Sequence, residues 1–506
     1  MANSVIRTTK VRAGADDDDA RNIFAAIQTS HGPRSTGATR RQRLRGQFGS
    51  PNALSQTLCA ECKNPPSALS RLRADKASEF VTLATSCSSS GPFPRQRLLR
   101  HDATTLFGSP REKRDRSIKR AQPLAAERLV LNLPTGRQGV LSRELLVDAI
   151  AGGVIGAGNF TIPEANIQPA SLDLRLGETA YRIRCSFLPG PEAVERKLRD
   201  YVIDELDLHK DGAVLETNRP YLILLKESLN LPPGMRAKAN PKSSTGRIDV
   251  FTRVITDGGH RFDEIAEGYQ GPLYLEVVPL SFAVRVREDL ALNQLRLSVG
   301  RTTLSDEEVR AFHAEEHPLL FEGGRPVPAE ELALSDGMFL GLDLKGNVNT
   351  RVGYRSRENA PLLDLTREEL IDPRPFWEPV HRENGDRVVL SPQKFYLLMS
   401  NGAVSIPPEL ASEMTAYDPT NGELRTHYAG FFDPGFGFDP AGPLDGSRAA
   451  LEVRAHDVPF VIEHGQRVCK LTFDRMLEPP KTLYGETIGS SYQRQEETLG
   501  KQFRRH

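Results

Sequence analysis

Between Lys242 and Glu276 the chain places side chains that could do chemistry together. Lys242-Ser243-Ser244-Thr245-Gly246-Arg247 offers hydroxyls, backbone N–H groups around a glycine and two cations, a set suited to a polyphosphate. Downstream, Tyr274-Leu275-Glu276-Val277-Val278 sets one carboxylate inside an apolar run. On a strand, such a Glu either faces solvent or is buried for a reason. Burial would raise its pKa towards neutrality, which is how a general base is made.

The elements that must position these groups are mostly strands. From Gln168 onward, short segments alternate apolar and polar residues between Pro and Gly clusters, beginning with Ser171-Leu172-Asp173-Leu174-Arg175-Leu176-Gly177. Ahead of them, Leu141–Ile150 has helical spacing, with Ser142 as N-cap and Gly152 and Gly153 as the stop. The second half then repeats the first. Tyr221 followed by Leu231-Pro232-Pro233 recurs as Tyr396 followed by Ile406-Pro407-Pro408, Leu275-Glu276-Val277 recurs as Leu451-Glu452-Val453, and Ser171–Arg175 matches Gly341–Lys345. The expected fold is therefore mainly β: two homologous, distorted β-barrel domains with a few short helices. We place the first at residues 139–325 and the second, with a C-terminal closing tail, at 336–506, the joint lying in the acidic, proline-containing stretch 315–335. Where the first copy has Lys242–Arg247, the second has Tyr417–Arg425 with two carboxylates, so the first copy is expected to keep the catalytic equipment.

The chain's 506 residues allow more than one core. Its net charge is zero, but residues 1–130 carry about 23 Lys and Arg against about 11 Asp and Glu and lack a sustained apolar period, so they read as a low-complexity basic extension without a fold. Cys59-Ala60-Glu61-Cys62 has the spacing of half a zinc knuckle without a second pair. Five scattered cysteines give no disulfide framework and fit a reducing cytoplasm. No apolar run is long enough for a membrane span, and neither a membrane nor a nucleic acid is expected as a partner.

Gln168–Gly177, Lys242–Arg247, Tyr269–Val277 and the tail around Tyr484–Gln495 together resemble the dCTP deaminases, relatives of the trimeric dUTP diphosphatases, in the double-domain form of some bacteria. The resemblance runs from about Gly139 to the C-terminus. It implies hydrolytic deamination of dCTP to dUTP plus ammonia, feeding dUMP and thymidylate synthesis. Glu276 would be the general acid/base, with Ser243 and Arg247 holding water and the cytosine end. It places Lys242 and Ser244 beside the phosphates, Thr256 near the water site, and Tyr484, Tyr492 and Gln495 in a tail that closes over nucleotide. Ser491 stands where the family often has Lys, and Lys242 where it commonly has Arg. It also implies no catalytic zinc, no organic cofactor, Mg²⁺ carried in on the triphosphate, and a homo-oligomer, a trimer or a pseudo-symmetric assembly whose sites lie at contacts between copies. The zinc deaminase signature, His-x-Glu followed by Pro-Cys-x-x-Cys, does not occur in the chain.

Two other functions remain open at this stage. Asp263 with Tyr269-Gln270-Gly271 resembles the strand and turn of a dUTP diphosphatase, alone or as part of a bifunctional enzyme, although that family's glycine-rich C-terminal motif is missing. The other is a non-catalytic nucleotide-binding regulatory module.

Overall fold

The computed structural model describes residues 136–346, 351–416, 424–426, 430–442, 445–455, 457–485 and 492–504. They all belong to one compact unit, Arg114–His506. The basic extension, with Cys59 and Cys62, lies outside the described residues, as do Ser491 and most of Tyr417–Arg425.

Strands dominate, and the helices are short. Arg143–Ala151 forms the first helix because Ser142 Oγ accepts from the N–H of Leu145 at 3.4 Å, and Leu145, Leu146 and Ala149 share its buried face. Beyond it, one antiparallel sheet curls into a nearly closed barrel. Its strands run in the order Val250–Thr256, Gln270–Pro279, Tyr221–Asn230, Leu172–Ile183, Ala291–Val299, Met235–Pro241 and Glu264–Ile265. Alternation of burial along Tyr221–Asn230 and Met235–Pro241 puts Leu225, Leu229, Met235 and Ala237 into the first core.

The second half repeats this pairing strand for strand. Phe395–Val404 pairs with Ser447–Ala455 as Tyr221–Asn230 pairs with Gln270–Pro279. Leu410–Ala416 pairs with Arg467–Arg475 as Met235–Pro241 pairs with Ala291–Val299. Even a side-chain bond recurs: Tyr221 Oη accepts from Glu216 N at 3.1 Å and Tyr396 Oη from Ser391 N at 2.9 Å, each five residues back. The helix Asp306–Glu315, opened by a Ser305/Glu308 capping box, buries Val309 and Phe312 in the second core. This helix thus packs with the second copy, ahead of the stretch 315–335 where the sequence places the joint.

The two copies also share interior. Trp377, Phe376 and Phe503 of the second copy enter the first core, where Trp377 meets Phe282 edge to face at 5.2 Å between ring centres. Leu363–Asp364 adds to Val284–Val286 as a parallel strand. This shared packing fixes the face on which the two copies meet. Among the described residues, no helix is long and apolar enough to cross a membrane.

Candidate active site

The Lys242–Arg247 segment forms a single helical turn, Ser243–Gly246, between the strands Met235–Pro241 and Val250–Thr256. Thr245 and Gly246 N–H groups both donate to Lys242 O, and Arg247 N donates to Ser243 O at 3.1 Å. The turn forms one wall of a cavity of about 320 Å³. The opposite wall belongs to the second copy: Phe431, Phe432, Asp433, Phe436 and Glu452, with Tyr484, Tyr492, Gln495 and Lys501 from the C-terminal tail.

The carboxylate at this turn is Glu452, and Glu276 does not line the cavity. A Cβ on Gly246 would lie 2.6 Å from Glu452 Oε1, so the missing side chain lets the carboxyl settle against the turn. Glu452 is half-buried, with its accessible surface towards the cavity. Loss of solvation raises its pKa to about 8; Arg247 pulls it down, and Asp249 pushes it up. Arg454, two residues on along the same strand, forms an ion pair with the fully buried Asp249 and ties the Glu452 strand to the first copy.

Glu276 occupies the corresponding register position, opposite Leu222 as Glu452 is opposite Leu397. Its surroundings are different. Arg253, directly across the sheet, donates Nε to Glu276 Oε1 at 3.0 Å and forms an ion pair with it. The same guanidinium donates to Ser186 Oγ at 2.8 Å and lies 3.7 Å over the Phe262 ring. The structure therefore brings Ser243, Ser244, Lys242 and Arg247 together and leaves Glu276, itself fully buried, in an ion pair with the partly exposed Arg253. Thr256 is buried at the end of its strand and lies outside the cavity lining.

The model of the 2'-deoxycytidine 5'-triphosphate deaminase (DCD) N-terminal domain matches residues 137–301, and that of the C-terminal domain of the same enzyme matches residues 305–503. The chain belongs to the dCTP deaminase family. A crystal structure of 2'-deoxycytidine 5'-triphosphate deaminase from Agrobacterium tumefaciens is 45% identical, covers 70% of this chain and 100% of that one, and superposes with a TM-score of 0.64. Other relatives match over a smaller part of this chain. A "dCTP deaminase, dUMP-forming" of Halobacterium salinarum is 28% identical over 158 residues, 30% of this chain and 75% of its own. A dCTP deaminase of Natronomonas pharaonis is 29% identical over 155 residues, 30% of this chain and 74% of its own.

In this family member the tail seals the turn. Arg247 donates to Gln495 Oε1 at 2.7 Å and to Thr498 O at 3.2 Å, and stacks 3.7 Å from the Tyr492 ring centre. Gln495 Nε2 in turn donates to Arg448 O at 2.6 Å, and Gln502 Nε2 to Ser244 O at 3.0 Å. Tyr484 Oη accepts from Tyr492 N at 3.3 Å, and burial pushes the Tyr484 phenol well above its ordinary pKa. The aromatic turn is pinned across the copies as well. Arg296 of the first copy donates to Asp433 Oδ1 at 2.8 Å and lies 4.0 Å over Phe431, while Ser171 Oγ donates to Asp433 Oδ2 at 2.9 Å. Sequence reasoning missed Glu452, Asp173, Asp433 and Lys501. The repeated Leu-Glu-Val had already marked Glu452 as Glu276's counterpart, and that was the signal available.

Proposed function

We propose that the chain deaminates dCTP to dUTP and ammonia, with Glu452 in the general acid/base role that the sequence alone pointed to at Glu276. The observation that carries this reading is a carboxyl with a pKa near 8 set against Gly246 and Arg247 in a cavity lined by cations and aromatic rings. At neutral pH the Glu452 carboxyl holds its proton and can donate it to N3 of the cytosine as water attacks C4. The carboxylate so formed takes a proton from the attacking water and passes it to the departing amine; as ammonia leaves, it takes back the proton of the C4 hydroxyl, which becomes the carbonyl. The net change is replacement of the amine by oxygen, and Glu452 regains its starting state.

Ser243 and Arg247 face the same space and hold the water and the base edge. The tail that stacks on Arg247 excludes bulk solvent from them. Lys242 and Ser244 serve the phosphates, and Mg²⁺ enters on the triphosphate with few protein ligands. The rings of Phe431, Phe432 and Phe436 supply an apolar wall for the sugar and base.

Relatives named dUMP-forming raise the question of a second product. Asp263, the candidate for that step, is half-buried outside the cavity lining and accepts from Val254 N at 2.7 Å, so the proposed reaction stops at dUTP. Incubation of the purified chain with dCTP and Mg²⁺ tests this. Equimolar ammonia and dUTP are expected. Absence of ammonia overturns the deaminase reading, and stoichiometric pyrophosphate overturns the stop at dUTP.

A further inference from the structure

Glu452 and Arg454 project from one face of the strand Ser447–Ala455, about 7 Å apart along it, because Leu451, Val453 and Ala455 turn into the second core. That face meets the first copy at two points. Gly246 lies against the Glu452 carboxyl, and Asp249 forms an ion pair with Arg454. The two points on the first copy are joined by the backbone itself: Asp249 N donates to Gly246 O at 2.8 Å, and Leu280 N donates to Asp249 O at 2.9 Å. Asp249 takes the left-handed conformation, φ 57°, which a short polar side chain tolerates.

The Asp249 side chain is fully buried and that of Arg454 is 12% exposed, so each charge is costly without the other. Their remaining bonds also cross between the copies. Ser281 Oγ donates to Asp249 Oδ2 and shares a hydrogen bond of 3.0 Å with Ser356 Oγ of the second copy. In the first copy, the position matching Arg454 holds Val278, opposite Phe251. The cation thus stands on the strand whose carboxyl faces the other copy, and not on the strand whose carboxyl is paired within its own.

We propose that Asp249 and Arg454 are positioning residues for Glu452: their ion pair fixes the strand Ser447–Ala455 against the Lys242–Arg247 turn and keeps the charge beside the Glu452 carboxyl balanced. The proposal rests on the deaminase reading with Glu452 as general acid/base and adds two residues that it does not use. Gly246 alone, having no side chain, cannot set where the strand lies along the turn. A second contact two residues further on does.

The charges around Glu452 give the pair its sign. Arg247 and Asp249 act on it from the turn, the first lowering its pKa and the second raising it. Arg454 opposes Asp249 from Glu452's own strand, where Arg448 is already paired with Asp343. The residue across the sheet, Leu397, is uncharged, and Asp173, Lys242, Asp433 and Lys501 line the rest of the cavity. Removing one member of the pair leaves the other's charge unopposed, so the two losses act on Glu452 in opposite directions.

The test reads the alkaline limb of kcat/KM for ammonia release from dCTP, using the full chain. Asp249→Asn removes the anion while keeping a side chain that tolerates the left-handed backbone. It is expected to move the limb to lower pH by about one unit, with KM at neutral pH changing less than about threefold. Arg454→Gln moves the limb to higher pH, Arg454→Lys keeps it in place, and the double variant Asp249→Asn/Arg454→Gln brings it back close to that of the parent chain. An unmoved limb in Asp249→Asn, or shifts of the same sign in the two single variants, overturns the proposal. The double variant leaves no unpaired charge buried, so it and Asp249→Asn report even if Arg454→Gln does not fold.

A second measurement needs no turnover. The pH at which each chain loses its Tm advantage over its own Glu452→Gln counterpart follows the Glu452 proton, and it should fall in Asp249→Asn and rise in Arg454→Gln. A parent chain that releases no ammonia, with these Tm shifts present, refutes the deaminase reading and leaves the positioning pair standing. Ammonia release with unmoved Tm curves refutes the pair and leaves the deaminase reading standing.

Discussion

Glu276 and Glu452 occupy the same register position in the two copies and have opposite surroundings. Each sits on the strand that pairs with the Tyr221 or Tyr396 strand, one facing Leu222 and the other Leu397. What differs is what fills the space in front of the carboxyl. Arg253 closes on Oε1 of Glu276, held there by Phe262 and Ser186, so the ion pair lies within the first copy, while Oε2 has no hydrogen-bond partner among the described residues. In front of Glu452 stands a glycine from the other copy, with an arginine committed to the tail and a cavity alongside. A paired carboxylate is inert structure; a desolvated one without a committed cation can move protons. One strand position thus has two different surroundings in the two copies.

Four variants or conditions would break that contrast or sharpen it. The largest effect belongs to Glu452→Gln, which should lower kcat for ammonia release about 10²–10⁴-fold, the usual weight of a general acid/base. A loss of less than tenfold would remove Glu452 from the chemistry. Next is Gly246→Ala, whose added methyl would crowd Oε1 of Glu452. Displacing the carboxyl by about 1 Å should cost roughly 10²-fold in kcat, with thermal stability changing much less. Equal losses of activity and folded protein would make Gly246 a structural residue only.

Glu276→Gln should do the reverse: kcat stays within about threefold, while stability falls by about 1–3 kcal/mol because Arg253 loses its anion. Denaturant titration and ammonia release on the same sample separate the two. The smallest effect is on stability against pH. The folded pKa of Glu452, about 8, lies above the ordinary 4.5, so the folded chain binds this proton more tightly than the unfolded chain does. Its contribution to stability is complete below about pH 4.5 and is lost as pH rises through about 8. Glu452→Gln should therefore lose less in Tm than the parent chain between about pH 6 and pH 9. Parallel Tm curves would contradict the raised pKa.

Much of this was legible in the residues. Alternation after Gln168 reported strands, Ser142 reported a helix start, and the spacing of Tyr221 and Tyr396 from the prolines and from Leu-Glu-Val reported a duplication down to the register of single pairs. Lys242–Arg247 stood out by its cations, hydroxyls and glycine, because residue types carry that information locally, and the segment does line the cavity. The choice between Glu276 and Glu452 was not legible. Alternation tells which face of a sheet a side chain takes, not which other element is folded against that face. Arg253 lies 23 residues before Glu276 and meets it only across paired strands. Gly246 and Glu452 are brought together only by packing between the copies. Lys501 was passed over for the same reason: the tail's tyrosines were recognisable by type, but a lysine beyond them gains meaning only where the tail turns back to Asp173.

The claim that the site is built from the turn of one copy and the carboxyl of the other is tested most directly by a crystal structure of the Glu452→Gln chain with dCTP bound. The cytosine edge should lie between Ser243, Arg247 and the substituted side chain at position 452, with the phosphates towards Lys242 and Lys501. A nucleotide bound with its base against Glu276 and Arg253 would contradict the account.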